Sequence, residues 1–187
     1  MEQLESTLNK VLKIGGGTSI LLELDTNSYL EIIIKTIKKL QKKGLSGVYV
    51  SIQRPFKNIS SLLKKQNIDL NKLIFIDVAS AVSKERSEKC KGCVHISPEL
   101  DVDELVKAIY TLLDQIKGQK FIFIDSLTTL ALHKSISETL RFFEFLMRRI
   151  KNEKDIVLIL NVAKDLSHNS FVQNVIAQAD QIIEIKA

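Results

Sequence analysis

The sequence predicts an α/β fold in which a mostly parallel sheet is covered by helices on both faces. Three observations carry that expectation. Short, nearly continuous apolar runs alternate with longer segments of helical period, the pattern of strands buried on both sides and joined by crossover helices. The connections are short, without a Pro/Gly/Ser-rich linker or an internal repeat. Residues 19–43 read as strand, tight turn and helix, the opening unit of a nucleotide-binding half-domain. At 187 residues the chain is expected to be one domain, 1–187, with a substantial core.

Taken in order, residues 2–12 carry Leu4, Leu8, Val11 and Leu12 at helical spacing, and the run Gly15, Gly16, Gly17 ends that helix. A strand is expected over 20–24 and a helix over 29–42, with Ile33, Ile34, Ile37 and Leu40 toward the sheet, Asn27 or Ser28 as its cap and Gly44 as its stop. A strand at 47–52, a helix at 56–66 and a strand at 73–78 follow. Residues 82–94 are polar and contain both cysteines, so they read as a mobile loop or a variable insertion. Then come a helix over 101–117, the most apolar strand at 120–125, a long helix over 137–151, a strand at 156–162, a short helix at 171–179 and an edge strand at 181–185.

Composition narrows the class. With 45% hydrophobic and 26% charged residues the chain belongs with globular proteins rather than disordered ones. No apolar run reaches the length of a membrane span, and the first residues lack a signal-peptide pattern, so a cytoplasmic protein is expected. The net charge of +5 is mild and its lysines are spread over helix faces; this is a solvated surface, with weak nucleic-acid or anion affinity as the alternative. Cys90 and Cys93 make a single C-x-x-C with His95 as the one histidine nearby. Zinc takes four ligands, so this spacing leaves three readings open: half of an intersubunit metal site, a labile disulfide, or two loop thiols with no joint role.

Ligands of a parallel sheet gather at the carboxyl ends of its strands. The residues there are Asp25, Thr26, Asn27 and Ser28 after the first strand, Gln53 and Arg54 after the second, Asp77, then Asp125 and Ser126, and Asn161. Asp125 stands out, because an aspartate ending a buried strand and followed by Ser, Leu, Thr and Thr matches the carboxylate that reaches magnesium through water in phosphoryl-transfer sites. Its structural reading is a cap on the amides of Ser126 and Leu127. Asp77 admits the same two readings. His95, His133 and His168 lie too far apart in sequence to form a ligand cluster by spacing, and no nucleophile elbow is present.

The order of elements and these strand ends resemble the RecA-like ATPase superfamily, most of all KaiC-type P-loop domains and their archaeal relatives. The most specific segments are 47–55, ending Ser51, Ile52, Gln53, Arg54 and Pro55, and 121–130, containing Ile124, Asp125, Ser126 and Leu127. The resemblance implies a three-layer RecA-like sandwich, an archaeal origin, and a glycine-rich phosphate loop (Walker A) with lysine and threonine after the first strand. Here that place holds residues 24–29, with neither glycine nor lysine. Without them the backbone amides that cradle phosphate and the cation facing it are lost. The family's water-activating glutamate is replaced by Gln53, which orients water but takes no proton. Only the magnesium aspartate is kept, as Asp125. The expectation is therefore a non-catalytic KaiC-like module, a pseudo-ATPase that binds a protein partner or its own copies, with no cofactor. The alternatives are a weak nucleotide-binding protein or ATPase using ATP and magnesium at the altered loop, and a nucleic-acid-binding accessory protein.

Overall fold

A computed structural model describes residues 2–14, 16–25, 27–80, 92–96, 101–166 and 169–185. The strands are β1 (Thr18–Leu24), β2 (Ser46–Ser51), β3 (Leu73–Asp77), β4 (Cys93–His95), β5 (Lys120–Asp125), β6 (Ile156–Ala163) and β7 (Gln181–Glu184). They form one seven-stranded sheet in the order β4-β3-β2-β5-β6-β1-β7, and every pairing within it is parallel. The helices are α1 (Glu2–Ile14), α2 (Tyr29–Lys42), α3 (Phe56–Lys65), α4 (Val102–Leu113), α5 (Leu127–His133), α6 (Ile136–Ile150) and α7 (Ser170–Gln178).

The two-residue period of the strands sorts the core into two layers. Ile20, Leu22, Tyr49, Phe121, Phe123 and Ile159 pack with α1, α2 and α3 on one face. Leu21, Val48, Val50, Ile122, Ile124, Leu158 and Leu160 pack with α4, α5, α6 and α7 on the other. This is the three-layer sandwich that the alternation of elements predicts. After β2 the chain runs outward through β3 and β4, then returns to insert β5 and β6 between β2 and β1. The carboxyl ends of β1, β6, β5 and β2 thereby lie side by side in that order, with β6 between the turn after β1 and Asp125.

Local chemistry explains the element ends. Gly44, at φ +87°, lets α2 close with the Leu45 amide donating to the Leu40 carbonyl at 3.1 Å and the Gly44 amide to Gln41 at 3.0 Å. Ser135 and Glu138 form a reciprocal capping box at the start of α6. Gly16 does more than end α1. Its amide donates to the Lys154 carbonyl at 2.6 Å, and a Cβ there would sit 2.4 Å from the Ile156 nitrogen.

Three elements differ from the sequence reading: α4 ends at Leu113, four residues short of the expected bound, and two more depart further. The expected loop becomes a strand at its end, where Cys93–His95 pairs in parallel with β3 and Asp77 stands opposite His95; residues 82–91 of that expectation lie outside the described residues. Only Val94 of these three residues favours a strand, too little to declare one, and the β3 edge supplies the pairing. The residues after Asp125, to which the sequence pattern assigns no element, form α5.

Candidate functional site

At the turn after β1, Asn27 is exposed, Asp25 and Ser28 are half-buried, and Thr26 lies outside the described residues. Ser28 occupies the position before α2, but neither it nor Asn27 caps that helix. A capping side chain needs an extended backbone; Ser28 already has helical angles (φ −92°, ψ −9°), and its hydroxyl donates instead to the Asp25 carbonyl at 3.2 Å. Acidic groups surround this turn. Burial and the neighbouring Glu184 raise the Glu23 carboxyl above its usual range, with Lys164 opposing them. Lys164 pairs with Glu184 at 3.0 Å, and that hydrogen bond holds its own pKa up.

Asp125 ends β5 in the middle of the sheet. Its carbonyl accepts the amides of Ile52 at 2.7 Å and Gln53 at 3.2 Å, which ties the end of β2 to β5, and the Asp125–Ser126 peptide is cis. The side chain is completely buried. Its Oδ2 accepts a hydrogen bond from the Tyr49 hydroxyl, and burial pushes the carboxyl up to about 8, with Asn161 on β6 opposing the rise. Among the described residues Oδ1 has no hydrogen-bond partner within bonding geometry, nor has either polar atom of the Asn161 carboxamide. The expected cap is made by the next residue: Ser126 Oγ accepts the Thr129 amide at 3.3 Å and sits 2.9 Å from Thr128 Oγ1. Asp125 does not cap Ser126 and Leu127, because its side chain turns back across the sheet toward Tyr49.

Gln53 is exposed and Arg54 half-buried. Burial raises the Tyr49 hydroxyl, with the Arg54 charge opposing it. Tyr49 stacks on Phe123 with ring centroids 5.3 Å apart. Sequence reasoning passed over Tyr49, counting it among strand residues. The available signal was a hydroxyl in an otherwise apolar buried run, which requires a partner. Asp77 behaves as the structural reading anticipated. Its carboxylate accepts the Phe56 amide at 3.0 Å, the Ser80 amide at 2.9 Å and the Ser80 hydroxyl at 2.7 Å, fixing the start of α3 to the end of β3.

On the other side of the molecule α4 and α6 border a groove of about 520 Å³. Tyr110 forms its floor with the Arg149 guanidinium 3.9 Å above the ring, and Phe145 in its wall is 43% exposed. Asp103 and Arg141 pair across it at 3.5 Å. The Tyr110 hydroxyl is buried, has no hydrogen-bond partner among the described residues, and is pushed up to about 12 by burial, with Arg149 opposing. Among the described residues no helix is long and apolar enough to cross a membrane.

A family model described as "ATPase: KaiC" matches residues 34–187. No curated protein matches the sequence. Among solved structures, an uncharacterised protein of Pyrococcus horikoshii, in complex with an unknown peptide, superposes with a TM-score of 0.74 at 17% identity, covering 100% of this chain and 83% of that one. A KaiC-like protein of the same archaeon gives 0.59 at 19% identity, over 90% of this chain and 71% of the other. The flagellar accessory protein FlaH of Methanocaldococcus jannaschii gives 0.60 at 17% identity, over 95% and 76%. These likenesses establish the fold.

Proposed function

From the premise that this chain belongs to the KaiC ATPase family, we propose that it is a non-catalytic member working by protein recognition. The single observation that carries the reading is the state of Asp125. The family implies a nucleotide with magnesium, and the residues present fit that group poorly. A magnesium carboxylate must be charged and reachable, whereas Asp125 is fully buried, bonded to Tyr49 and pushed up to about 8. The turn after β1 carries Asp25 and neither glycine nor lysine; of the cations at this end of the sheet, Lys164 is engaged by Glu184 and Arg54 acts on Tyr49. An anion approaching the N-terminus of α2 meets carboxylates where the family needs amides and an ammonium. Asp25, Thr26, Asn27, Ser28, Gln53, Arg54, Asp125 and Ser126 thus mark a degenerate nucleotide site, and the chain is one domain that needs no cofactor.

Recognition falls to the groove between α4 and α6. It combines an exposed aromatic, a Tyr–Arg stack and an unpaired buried hydroxyl, the mixture of apolar anchor and directional polar groups that binding hot spots use. Its occupant is a peptide segment of a partner protein; the solved relative in complex with an unknown peptide supports that class of ligand. The test has two arms. ATP with magnesium at millimolar concentration is expected to give neither turnover nor a thermal shift. Peptide display is expected to enrich sequences on the wild-type chain that Phe145→Asp no longer captures. ATP turnover abolished by Asp125→Asn, or peptide enrichment indifferent to Phe145→Asp, would sink the proposal.

A further inference from the structure

At the far edge of the sheet, away from the Asp125 site, three side chains of different chemistry converge. β4 runs beside β3 with Phe75 opposite Cys93 and Asp77 opposite His95. Alternation along a strand puts Cys93 and His95 on one face, and register brings Asp77 alongside. One ligand atom from each of Asp77, Cys93 and His95 lies within 4.8 Å of the other two. His95 Nδ1 is 3.7 Å from Asp77 Oδ2, and His95 Nε2 is 3.9 Å from Cys93 Sγ.

The nitrogen–carboxylate separation is too long for a hydrogen bond. One ion takes only one of the two ring nitrogens, so a shared zinc uses either Nδ1 beside Asp77 or Nε2 beside Cys93, and a small side-chain turn brings in the third ligand: bonds of about 2.0–2.3 Å at a tetrahedral angle place neighbouring ligand atoms roughly 3.3–3.6 Å apart, and one atom from each residue already lies within 4.8 Å of the others. Asp77 has the capacity. A carboxylate offers about four lone-pair sites, two on each oxygen; Oδ2 accepts from the Phe56 amide and the Ser80 hydroxyl, while Oδ1 accepts the Ser80 amide and is the oxygen with a site for an ion. Those same hydrogen bonds hold the carboxylate in place, the outer support that metal ligands need. Cys93 and His95 are only partly buried, so an ion has a way in.

We propose that Asp77, Cys93 and His95 form a binding site for a borderline-soft divalent cation, zinc before others, with a fourth coordination position left for solvent or substrate. Thiolate and imidazole select zinc over magnesium or calcium, whose ligands are oxygens. Cys90 completes the C-x-x-C in sequence but lies outside the described residues and is no part of this assignment. The inference is independent of the peptide-binding role.

The test uses the full chain, reduced and stripped with a chelator, then titrated with cobalt(II). One equivalent is expected to give the strong visible absorption of tetrahedral cobalt and a near-ultraviolet thiolate-to-cobalt band, both bleached by zinc. Cys93→Ser should remove the thiolate band, and His95→Gln should weaken cobalt at least tenfold, each with the metal-free melting profile of the parent. X-ray absorption at the zinc edge of the wild-type chain needs no variant and should show sulfur together with nitrogen or oxygen. No cobalt absorption, a thiolate band that survives Cys93→Ser, undiminished affinity in His95→Gln, or an all-sulfur zinc shell would each overturn the site.

Discussion

Asp125 shows how one carboxyl group serves differently once its surroundings change. Unfolded, it titrates near about 3.9; folded, its pKa is raised to about 8 by burial. Between those values the folded state holds a proton that the unfolded state has released. Stability therefore falls as pH rises through that window, by at most about 1.4 kcal/mol per pH unit from this group, and levels off above it. Asp125→Asn keeps an acceptor for Tyr49 but has nothing to titrate. Denaturant melts from pH 4 to 9 are expected to show a shallower decline for the variant, and equal or greater stability than the parent at pH 8. Parallel curves would mean that Asp125 is ionised in the folded chain at neutral pH. Tyr49→Phe removes the one donor to Oδ2 among the described residues and is expected to cost about 1–3 kcal/mol, since it leaves a buried acceptor unpaired. The loss should be larger at pH 8 than at pH 5, because a charged acceptor makes the stronger bond.

Elements show where sequence patterns are sufficient and where they are not. Gly16 belongs to a glycine run that reads as a helix stop, yet its amide and α-carbon abut the backbone of residues 154–156. Gly16→Ala pushes a methyl group against main-chain atoms that cannot rotate away. It is expected to cost about 1–3 kcal/mol by overpacking in a thermal melt, and an unchanged melt would show that strand entry has room to spare. That contact was illegible because its partner lies far along the chain. By contrast α2 and β5 have the bounds their patterns predict, residues 29–42 and 120–125, because each is long or apolar enough to declare its own period. β4 declared nothing: Cys93, Val94 and His95 become a strand through pairing with β3, and the site with Asp77 followed that pairing into invisibility. The candidate residues at the strand ends were readable as places, since topology fixes them. Tyr49 reaching across to Asp125 was not, for cross-strand partners depend on register.

At the scale of the whole molecule, two ligands acting on opposite parts of one sheet give opposite expectations. A ligand that binds the folded chain alone stabilises it by about 2.7 kcal/mol at a hundred times its dissociation constant. For a chain of this size each kcal/mol moves the melting temperature by roughly 2–4 °C, so a saturating ion raises it by roughly 5–11 °C. Zinc bridging β3 and β4 ties the sheet edge to the start of α3 through Asp77 and is expected to produce that rise in the metal-free reduced chain. ATP with magnesium is expected to produce none, because the centre of the sheet presents it with carboxylates and a buried Asp125 whose pKa is raised to about 8. The two shifts are separable by substitution. Cys93→Ser should abolish the response to zinc and leave the nucleotide result unchanged, while Asp125→Asn should leave the zinc response intact. A nucleotide shift in the parent chain would return the centre of the sheet to phosphate binding, and a zinc shift that persists in Cys93→Ser would move the metal away from the β3–β4 edge.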